Sequence, residues 1–435
     1  MKSINKKSSK KNVRSAKMQT YQSVKGINDI LPKDQGWWKT IWQVGHNVSE
    51  THDFYYIETP ILEPAGLFEA GVGEGTDIVE KQMYVFKTKG GERVALRPEG
   101  TSPVMRSYLE HHLGYFLSPL KVFYYGPMFR YERPQAGRER GFHQWGFEIL
   151  GDGDPVYDGE IILAALSFLK ALKLKDLKLK INTIGCRVCR PTYRQRLKEY
   201  YCHHKTKLCR DCNNRYDKNP LRLLDCKEPG CQELKAKAPI ILDYLCQNCN
   251  NHFKTVLELI EDNNVVYEPD PYLVRGLDYY NRTVFEFFSG KADFAIAAGG
   301  RYDYLSEMLG GRLMPSVGVA LGIERIIQVM KLEEIPPHPK SKNKVFFAAI
   351  GEQAKKSSLK LMEELRTNNL AVAESLGKQS LKAQLKIADK IGAPLALLFG
   401  QKEVFDGTII IRDMKTGAQE TIVLDRLVEE VKRRL

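Results

Sequence analysis

Between Asp34 and about His52 the apolar residues Trp38, Ile41, Trp42 and Val48 recur near helical spacing, which predicts an amphipathic helix. The pattern then changes. Phe54-Tyr55-Tyr56-Ile57-Glu58-Thr59-Pro60-Ile61-Leu62-Glu63 is an extended apolar run, and Pro60 confines it to a sheet edge or bulge. Ser102-Pro103 reads as an N-cap with proline at the first helical position, so Glu99 and Thr101 are expected just before a helix that ends by Gly114. Residues 121–132 and 142–150 are strand-like and joined by a polar loop rich in arginine and glycine. In the second of these, period two puts Gln144, Gly146 and Glu148 on one face and Trp145, Phe147 and Ile149 on the core face. Gln144 and Glu148 then stand about 13 Å apart at ~3.3 Å per residue, with a glycine between them. Residues 160–172 are apolar enough for a buried helix, and 177–181 alternate as a half-buried strand.

The run Leu273-Val274-Arg275-Gly276-Leu277-Asp278-Tyr279-Tyr280, continued by Asn281-Arg282-Thr283-Val284-Phe285-Glu286, carries two arginines, two acids and two tyrosines where a plain strand would carry none. Gly276 lets a ligand or another backbone come close to Arg275. If the run is extended, Asp278 and Tyr280 share a face and form a polar pocket wall. Further on, Pro336, Pro337 and Pro339 lie beside lysines and mark a linker at 333–344. Beyond it a strand at 345–350, helices at 355–368 and about 382–391, and strands at 395–399 and 408–411 predict a small α/β domain. No internal repeat is visible.

At 435 residues the chain is long enough for two or three domains. Its net charge of +13 and pI near 9.1 favour a polyanionic partner over a neutral metabolite alone. Residues 1–17 hold seven of these cations (Lys2, Lys6, Lys7, Lys10, Lys11, Arg14 and Lys17) and no acid, which leaves +6 for the rest. So polar a tail cannot bury a core and is expected to be disordered, serving as a tether for polyanions or merely as a solubilising segment. No apolar segment near the start resembles a signal peptide and no window of eighteen apolar residues could span a bilayer, so a soluble cytoplasmic protein is expected. A transit peptide is the rival reading of the acid-free, serine-containing tail, although its cations are mostly lysine.

All nine cysteines fall between Cys186 and Cys249. Three CxxC pairs, Cys186/Cys189, Cys209/Cys212 and Cys246/Cys249, suit tetrahedral zinc, because two thiolates three residues apart grip one ion from a turn. Cys202, Cys226 and Cys231 lie between them. A disulfide framework is disfavoured in a reducing cytosol.

Five signatures in chain order carry a resemblance: Leu96-Arg97-Pro98-Glu99-Gly100-Thr101, Phe129-Arg130-Tyr131-Glu132-Arg133-Pro134, the 273–286 run, Ala298-Gly299-Gly300-Arg301-Tyr302-Asp303, and Gly318-Val319-Ala320-Leu321-Gly322-Ile323-Glu324-Arg325. Over roughly residues 22–435 the chain resembles the histidyl-tRNA synthetases of the class II aminoacyl-tRNA synthetases. The resemblance implies an α/β fold: an α+β catalytic core on an antiparallel sheet flanked by helices, followed by a C-terminal α/β anticodon-binding domain. The implied layout is a basic tail at 1–21, a catalytic domain at 22–332 with a cysteine-rich insertion at about 186–252, the linker at 333–344, and the anticodon-binding domain at 345–435. The helix, strand and proline at 34–63 resemble motif 1, which implies a homodimer.

The implied activity joins L-histidine to histidine tRNA with ATP, through histidyl-adenylate. By the same resemblance, Arg130 matches the arginine that grips the α-phosphate and Arg325 the one on the γ-phosphate. Arg275 matches the arginine between the histidine carboxylate and the α-phosphate, and Mg²⁺ accompanies the β- and γ-phosphates. Glu99, Thr101 and Gln144 match residues around the α-amino group, and Glu148 with Tyr280 matches those meeting the imidazole. Gly100 and Tyr279 count with the histidine set, Tyr279 alternatively joining Asp278 as a structural neighbour. Arg138 matches a residue that helps hold ATP. Gln135 and Arg140 are candidates for the acceptor end of the tRNA, Arg140 being equally readable as a solvated charge. His143 reads as a packed strand histidine. Trp145 stands where leucine is common, and Ser102-Pro103 where alanine is usual.

Insertions at this position in the class often carry cysteines without needing a metal, so no metal is expected in the site. A structural Zn²⁺ stays open, at most one ion held by two of the three CxxC pairs, whose loss would loosen the insertion and spare the active site. Two rivals remain: a non-catalytic paralogue, such as the regulatory subunit of ATP phosphoribosyltransferase, and a cysteine cluster acting as an independent zinc module. Such paralogues typically lose Arg275-like residues and the C-terminal domain, and this chain has both.

Overall fold

The computed structural model describes residues 21–73, 76–135, 137–337, 344–378 and 380–435; the basic tail, apart from Tyr21, and linker residues 338–343 lie outside them. The chain divides into two compact units, 1–337 and 338–435.

In the first unit the strands are β1 (Tyr55–Tyr56), β2 (Leu62–Pro64), β3 (Val85–Lys87), β4 (Arg93–Leu96), β5 (Leu120–Phe129), β6 (Gly141–Leu150), β7 (Leu177–Thr183), β8 (Tyr267–Pro269), β9 (Asn281–Ser289), β10 (Ala295–Arg301) and β11 (Ser316–Gly322). Eight of them form one sheet in the order β1-β5-β6-β11-β10-β9-β7-β8, and β2, β4 and β3 form a smaller one. Every inner pairing of the large sheet is antiparallel, while its two edge strands join in parallel. The extended run at 54–63 therefore splits at Pro60: Tyr55 pairs with Val122 in the large sheet, and Leu62 pairs with Leu96 in the small one. A proline cannot donate to a ladder, which makes it the natural place for the chain to change sheets.

The parity expected along β6 is observed. Trp145, Phe147 and Ile149 are fully buried in the main core beside Ile41, Phe123 and Phe168. Trp145 stacks on Phe123 at 5.2 Å, nearly parallel. The helix Gln35–Thr51 crosses above it at Gly45, where a β-carbon would lie 2.7 Å from the indole. The unusual tryptophan is thus accommodated by a glycine on the facing helix.

Helix Val156–Ala171 packs into the same core, as does helix Gln247–Asp262 through Phe253, Val256 and Ile260. Asp158 on the first is buried against Arg301 and His252, and the guanidinium and imidazole outweigh burial to hold its carboxyl well below the usual range. Arg301 thereby anchors the end of β10 next to the following tyrosine.

In the second unit, β12 (Lys344–Ala349), β13 (Ala371–Glu374), β14 (Leu395–Phe399), β15 (Thr408–Asp413) and β16 (Gln419–Val423) form a sheet in the order β13-β12-β14-β15-β16. Its first three strands are parallel and the rest antiparallel. Helices Glu352–Thr367 and Leu381–Lys390 connect the parallel strands. β13 and β16 escape the sequence reading because Ala371-Val372-Ala373-Glu374 and Gln419-Glu420-Thr421-Ile422-Val423 are short edge strands in which only Ile422 is buried.

Candidate active site

β6 supplies the floor. Gly146 lies opposite Tyr124 of β5, and a β-carbon there would fall 2.1 Å from the tyrosine ring, so the phenol lies flat across the strand only because the residue is glycine. On the other side Gly318 of β11 lies opposite Glu148, and a β-carbon there would sit 1.6 Å from Oε2. Two glycines thus clear space for one phenol and one carboxylate. Above them opens a cavity of about 510 Å³, a size ordinary for a small-molecule site, whose walls include Glu99, Thr101, Gln144, Arg275, Tyr279 and Tyr280.

Glu99 is held from below. Its two carboxylate oxygens accept the N–H groups of Thr101 at 2.6 Å and Ser102 at 2.9 Å, the first turn of helix Thr101–Glu110. Gly100 rather than Ser102 is the N-cap, because the Glu99 carboxylate takes the orphan donors that Ser102 was expected to serve. Thr101 Oγ1 donates to Glu148 Oε1 at 2.7 Å, and Tyr302 Oη donates to Oε2 at 2.6 Å. Glu148 is therefore almost wholly enclosed, behind Thr101 and Tyr124 rather than on the cavity wall. Burial pushes its carboxyl up to about 8, against the two hydrogen bonds, and the nearby Glu99 charge pushes the same way. Gln144 Oε1 is buried without a hydrogen-bond partner among the described residues, which leaves an acceptor for a ligand.

The 273–286 run departs from expectation. Residues 273–280 form an irregular loop, and the strand begins only at Asn281. Asp278 and Tyr280 consequently share no strand face, although both line a second cavity beside Arg190 and Arg222. The Asp278 carboxylate turns toward the insertion and accepts from Asn219 Nδ2 at 2.9 Å, whereas Tyr279 and Tyr280 line the cavity with their rings 4.7 Å apart. Arg275 pairs with Glu286 of β9 and has its guanidinium 5.5 Å over the Tyr280 ring, while its Nε is buried without a partner among the described residues. Burial pulls its pKa down, but the Glu286 charge overcomes this and leaves it raised.

At the other end three arginines converge. Arg130 donates through Nε to Pro98 O at 2.8 Å, and Arg325, the third residue of helix Ile323–Leu332, donates to Gly137 O and Ala295 O at 2.7 and 2.8 Å. Neither has a carboxylate partner among the described residues. Burial and the charges of Arg138 and Arg130 pull the Arg325 guanidinium below its usual range. Cations pinned by backbone carbonyls so close that they repel one another form a site for an anion. Arg138 meets Glu132 Oε2 at 3.4 Å. In the same loop Arg140 covers the Tyr131 ring at 3.8 Å and donates to Glu132 O, so it is a packed side chain rather than a solvated charge, while Gln135 exchanges backbone hydrogen bonds with Arg138. His143 packs edge-on to Trp38 at 4.7 Å and meets Glu324 at 2.8 Å, in keeping with a structural strand histidine at the cavity rim.

Sequence reasoning missed Tyr124, Tyr302 and Glu286 as members of this site. For Tyr124 a signal existed, since period two on β5 opposite Gly146 places it on the cavity face. The cysteines also differ from expectation: they gather in two groups of four rather than one.

A family model described as "Histidyl-tRNA synthetase" matches residues 26–326, and one described as "Anticodon binding domain" matches 344–434. A histidine–tRNA ligase of Dehalococcoides mccartyi is 45% identical over 417 residues, covering 95% of this chain and 100% of that protein. One of Thermosipho melanesiensis is 46% identical over 410 residues, covering 94% and 97%. The crystal structure of the apo S. aureus histidyl-tRNA synthetase superposes with a TM-score of 0.79 at 33% identity, covering 95% of this chain and 100% of that one. With both of its units matched and nearly its whole length aligned, the chain belongs to the histidyl-tRNA synthetase family.

Proposed function

We infer that this chain is a histidine–tRNA ligase, which activates L-histidine with ATP and transfers it to the 3′ end of histidine tRNA. The observation that carries the reading is the cavity itself, which Glu99, Tyr279 and Tyr280 line together with Arg130, Arg138, Arg275 and Arg325. In the first step the histidine carboxylate attacks the α-phosphorus in line and pyrophosphate leaves; in the second the terminal ribose hydroxyl attacks the adenylate carbonyl and AMP leaves. Bringing two anions together is the difficulty, and positioned cations answer it. Arg130 and Arg138 would hold the α-phosphate side of ATP and Arg325 the γ-phosphate. Glu99, Thr101 and Gln144 would take the α-amino group, and Tyr280 the imidazole, with the enclosed Glu148 acting on it directly or through the Thr101 and Tyr302 hydroxyls that donate to it. Neutral imidazole has one donor and one acceptor, which a phenol and a carboxylate satisfy together.

Mg²⁺ would enter with the nucleotide and screen its β- and γ-phosphates. The carboxylate on this wall of the cavity is Glu132, which would meet it in place of its present ion pair with Arg138. Arg140 and Gln135 stand on the loop that the acceptor end would meet. Self-association through the motif 1 segment is supported by the exposure of Tyr55, Tyr56, Ile61 and Leu62.

Histidine-dependent exchange of labelled pyrophosphate into ATP tests the reading. Exchange is expected with histidine and with no other standard amino acid; its absence would favour the non-catalytic paralogue. A second expectation concerns the tail, which lies outside the described residues. Deleting residues 2–17 removes seven cations, and is expected to leave exchange unchanged and to weaken tRNA binding modestly, less so at high salt. Loss of exchange in the truncated chain would make the tail part of the catalytic fold.

A further inference from the structure

Eight of the nine cysteines gather in two tetrads, Cys186, Cys189, Cys246 and Cys249, and Cys209, Cys212, Cys226 and Cys231, with the sulfurs of each within 4.8 Å of one another. Four thiolates about 2.3 Å from one tetrahedral ion stand about 3.8 Å apart. The closest sulfur pairs match that spacing: 3.7 Å for Cys186/Cys189, 3.9 Å for Cys186/Cys246 and 3.8 Å for Cys209/Cys226. These contacts are far too long for disulfides, and too short for an iron–sulfur cube, whose thiolates sit on separate irons.

A second feature is independent of the spacing. Backbone N–H groups point at the sulfurs: Val188 at Cys186, Cys246 at Cys189, Cys212 at Cys209 and Cys209 at Cys231, at 3.1–3.4 Å. Such N–H groups support the charge of metal-bound thiolates and fix their directions. From these observations we propose that the insertion holds two mononuclear zinc ions, one in each tetrad.

The two sites do different work. The first joins the chain leaving β7 to the start of helix Gln247–Asp262, so one ion closes the neck of the insertion. The second ties helix Arg210–Lys218 to Cys226 and to helix Pro229–Lys235, small elements around a core rich in tyrosine. A module of this size buries little apolar surface and is the kind that a staple stabilises. It is also bound to the active-site loop: Arg222 donates to Gly276 O at 3.3 Å, Asn219 to Asp278, and Arg190 to Tyr280 O. Metal loss is therefore expected to disturb the Arg275 loop, contrary to the expectation that the active site would be spared.

Elemental analysis of the full-length chain purified without chelators tests the proposal. Two zinc ions per chain are expected, falling to one in Cys231→Ser and in Cys249→Ser and staying at two in Cys202→Ser, since Cys202 lies outside both tetrads. Replacing zinc by Co²⁺ is expected to give the visible bands of tetrahedral thiolate coordination at two equivalents per chain. No metal, a single zinc, iron in place of zinc, or loss of zinc in Cys202→Ser would each overturn it. If the tetrad variants fail to fold, the parental zinc count and the cobalt titration still decide.

Discussion

Replacing Arg275 by alanine is expected to lower histidine-dependent pyrophosphate exchange by about 10²–10³, the loss of about 3–4 kcal/mol typical of removing one preorganised donor from a transition state. The geometry explains why so much rests on one side chain. Arg275 lines the same cavity as Glu99, Arg130 and Arg325, and Glu286 aims it while its buried Nε lacks a partner among the described residues. Removing it leaves Glu286 unpaired, which would ordinarily threaten the fold. Burial already raises the Glu286 carboxyl above its usual range, however, so the orphaned group can take a proton instead of remaining a buried charge. Thermal stability and tRNA binding are accordingly expected to stay near the parental values. Arg275→Lys is expected to restore only part of the exchange, because a point charge cannot bridge two anions as a planar fork does. Exchange at the parental rate in Arg275→Ala would refute the assigned mechanism.

What the sequence disclosed followed local rules, and what it concealed depended on contacts between distant segments. The alternation along β6 sorted Gln144 and Glu148 from Trp145 and Phe147, because a strand has only two faces and one of them is core. The helix before His52 and the small α/β unit announced themselves by period and punctuation in the same way. The 273–280 loop did not, since its shape is set by Asn219 and Arg222 of the insertion, more than fifty residues upstream. Glu286 was visible as an acid in a strand, but its pairing with Arg275 needs the loop to fold back beside β9. Tyr302 stands in a motif whose conspicuous charge, Arg301, belongs to a buried structural ion pair, while the neighbouring phenol reaches Glu148. The cysteine spacing suggested pairs of CxxC turns, and only the folded insertion shows that one turn is completed by Cys226 and Cys231.

Glu148→Ala is expected to reduce kcat/KM for histidine by as much as about 10⁴, with far less effect on the ATP requirement, because a site built on buried polar partners discriminates on that scale when they are left unpaired. The enclosure of Glu148 admits two routes to this effect: direct contact with the imidazole, or orientation of Thr101 and Tyr302, which both donate to it. Tyr302→Phe separates them. It removes one donor to the carboxylate but leaves the carboxylate itself, so a loss far smaller than in Glu148→Ala points to direct contact, and an equal loss points to orientation. The pH behaviour adds an independent reading. With its folded carboxyl near 8 and its ordinary value at 4.5, Glu148 keeps a proton in the folded chain that the unfolded chain has already released across this window. Folded-state stability without ligands is therefore expected to fall as pH rises from about 5 to 8, and Glu148→Gln, which cannot ionise, is expected to flatten that slope. An unchanged slope in Glu148→Gln would show that the carboxyl is not the titrating group, and equal losses toward histidine and ATP in Glu148→Ala would reduce its role to holding β6 against β11.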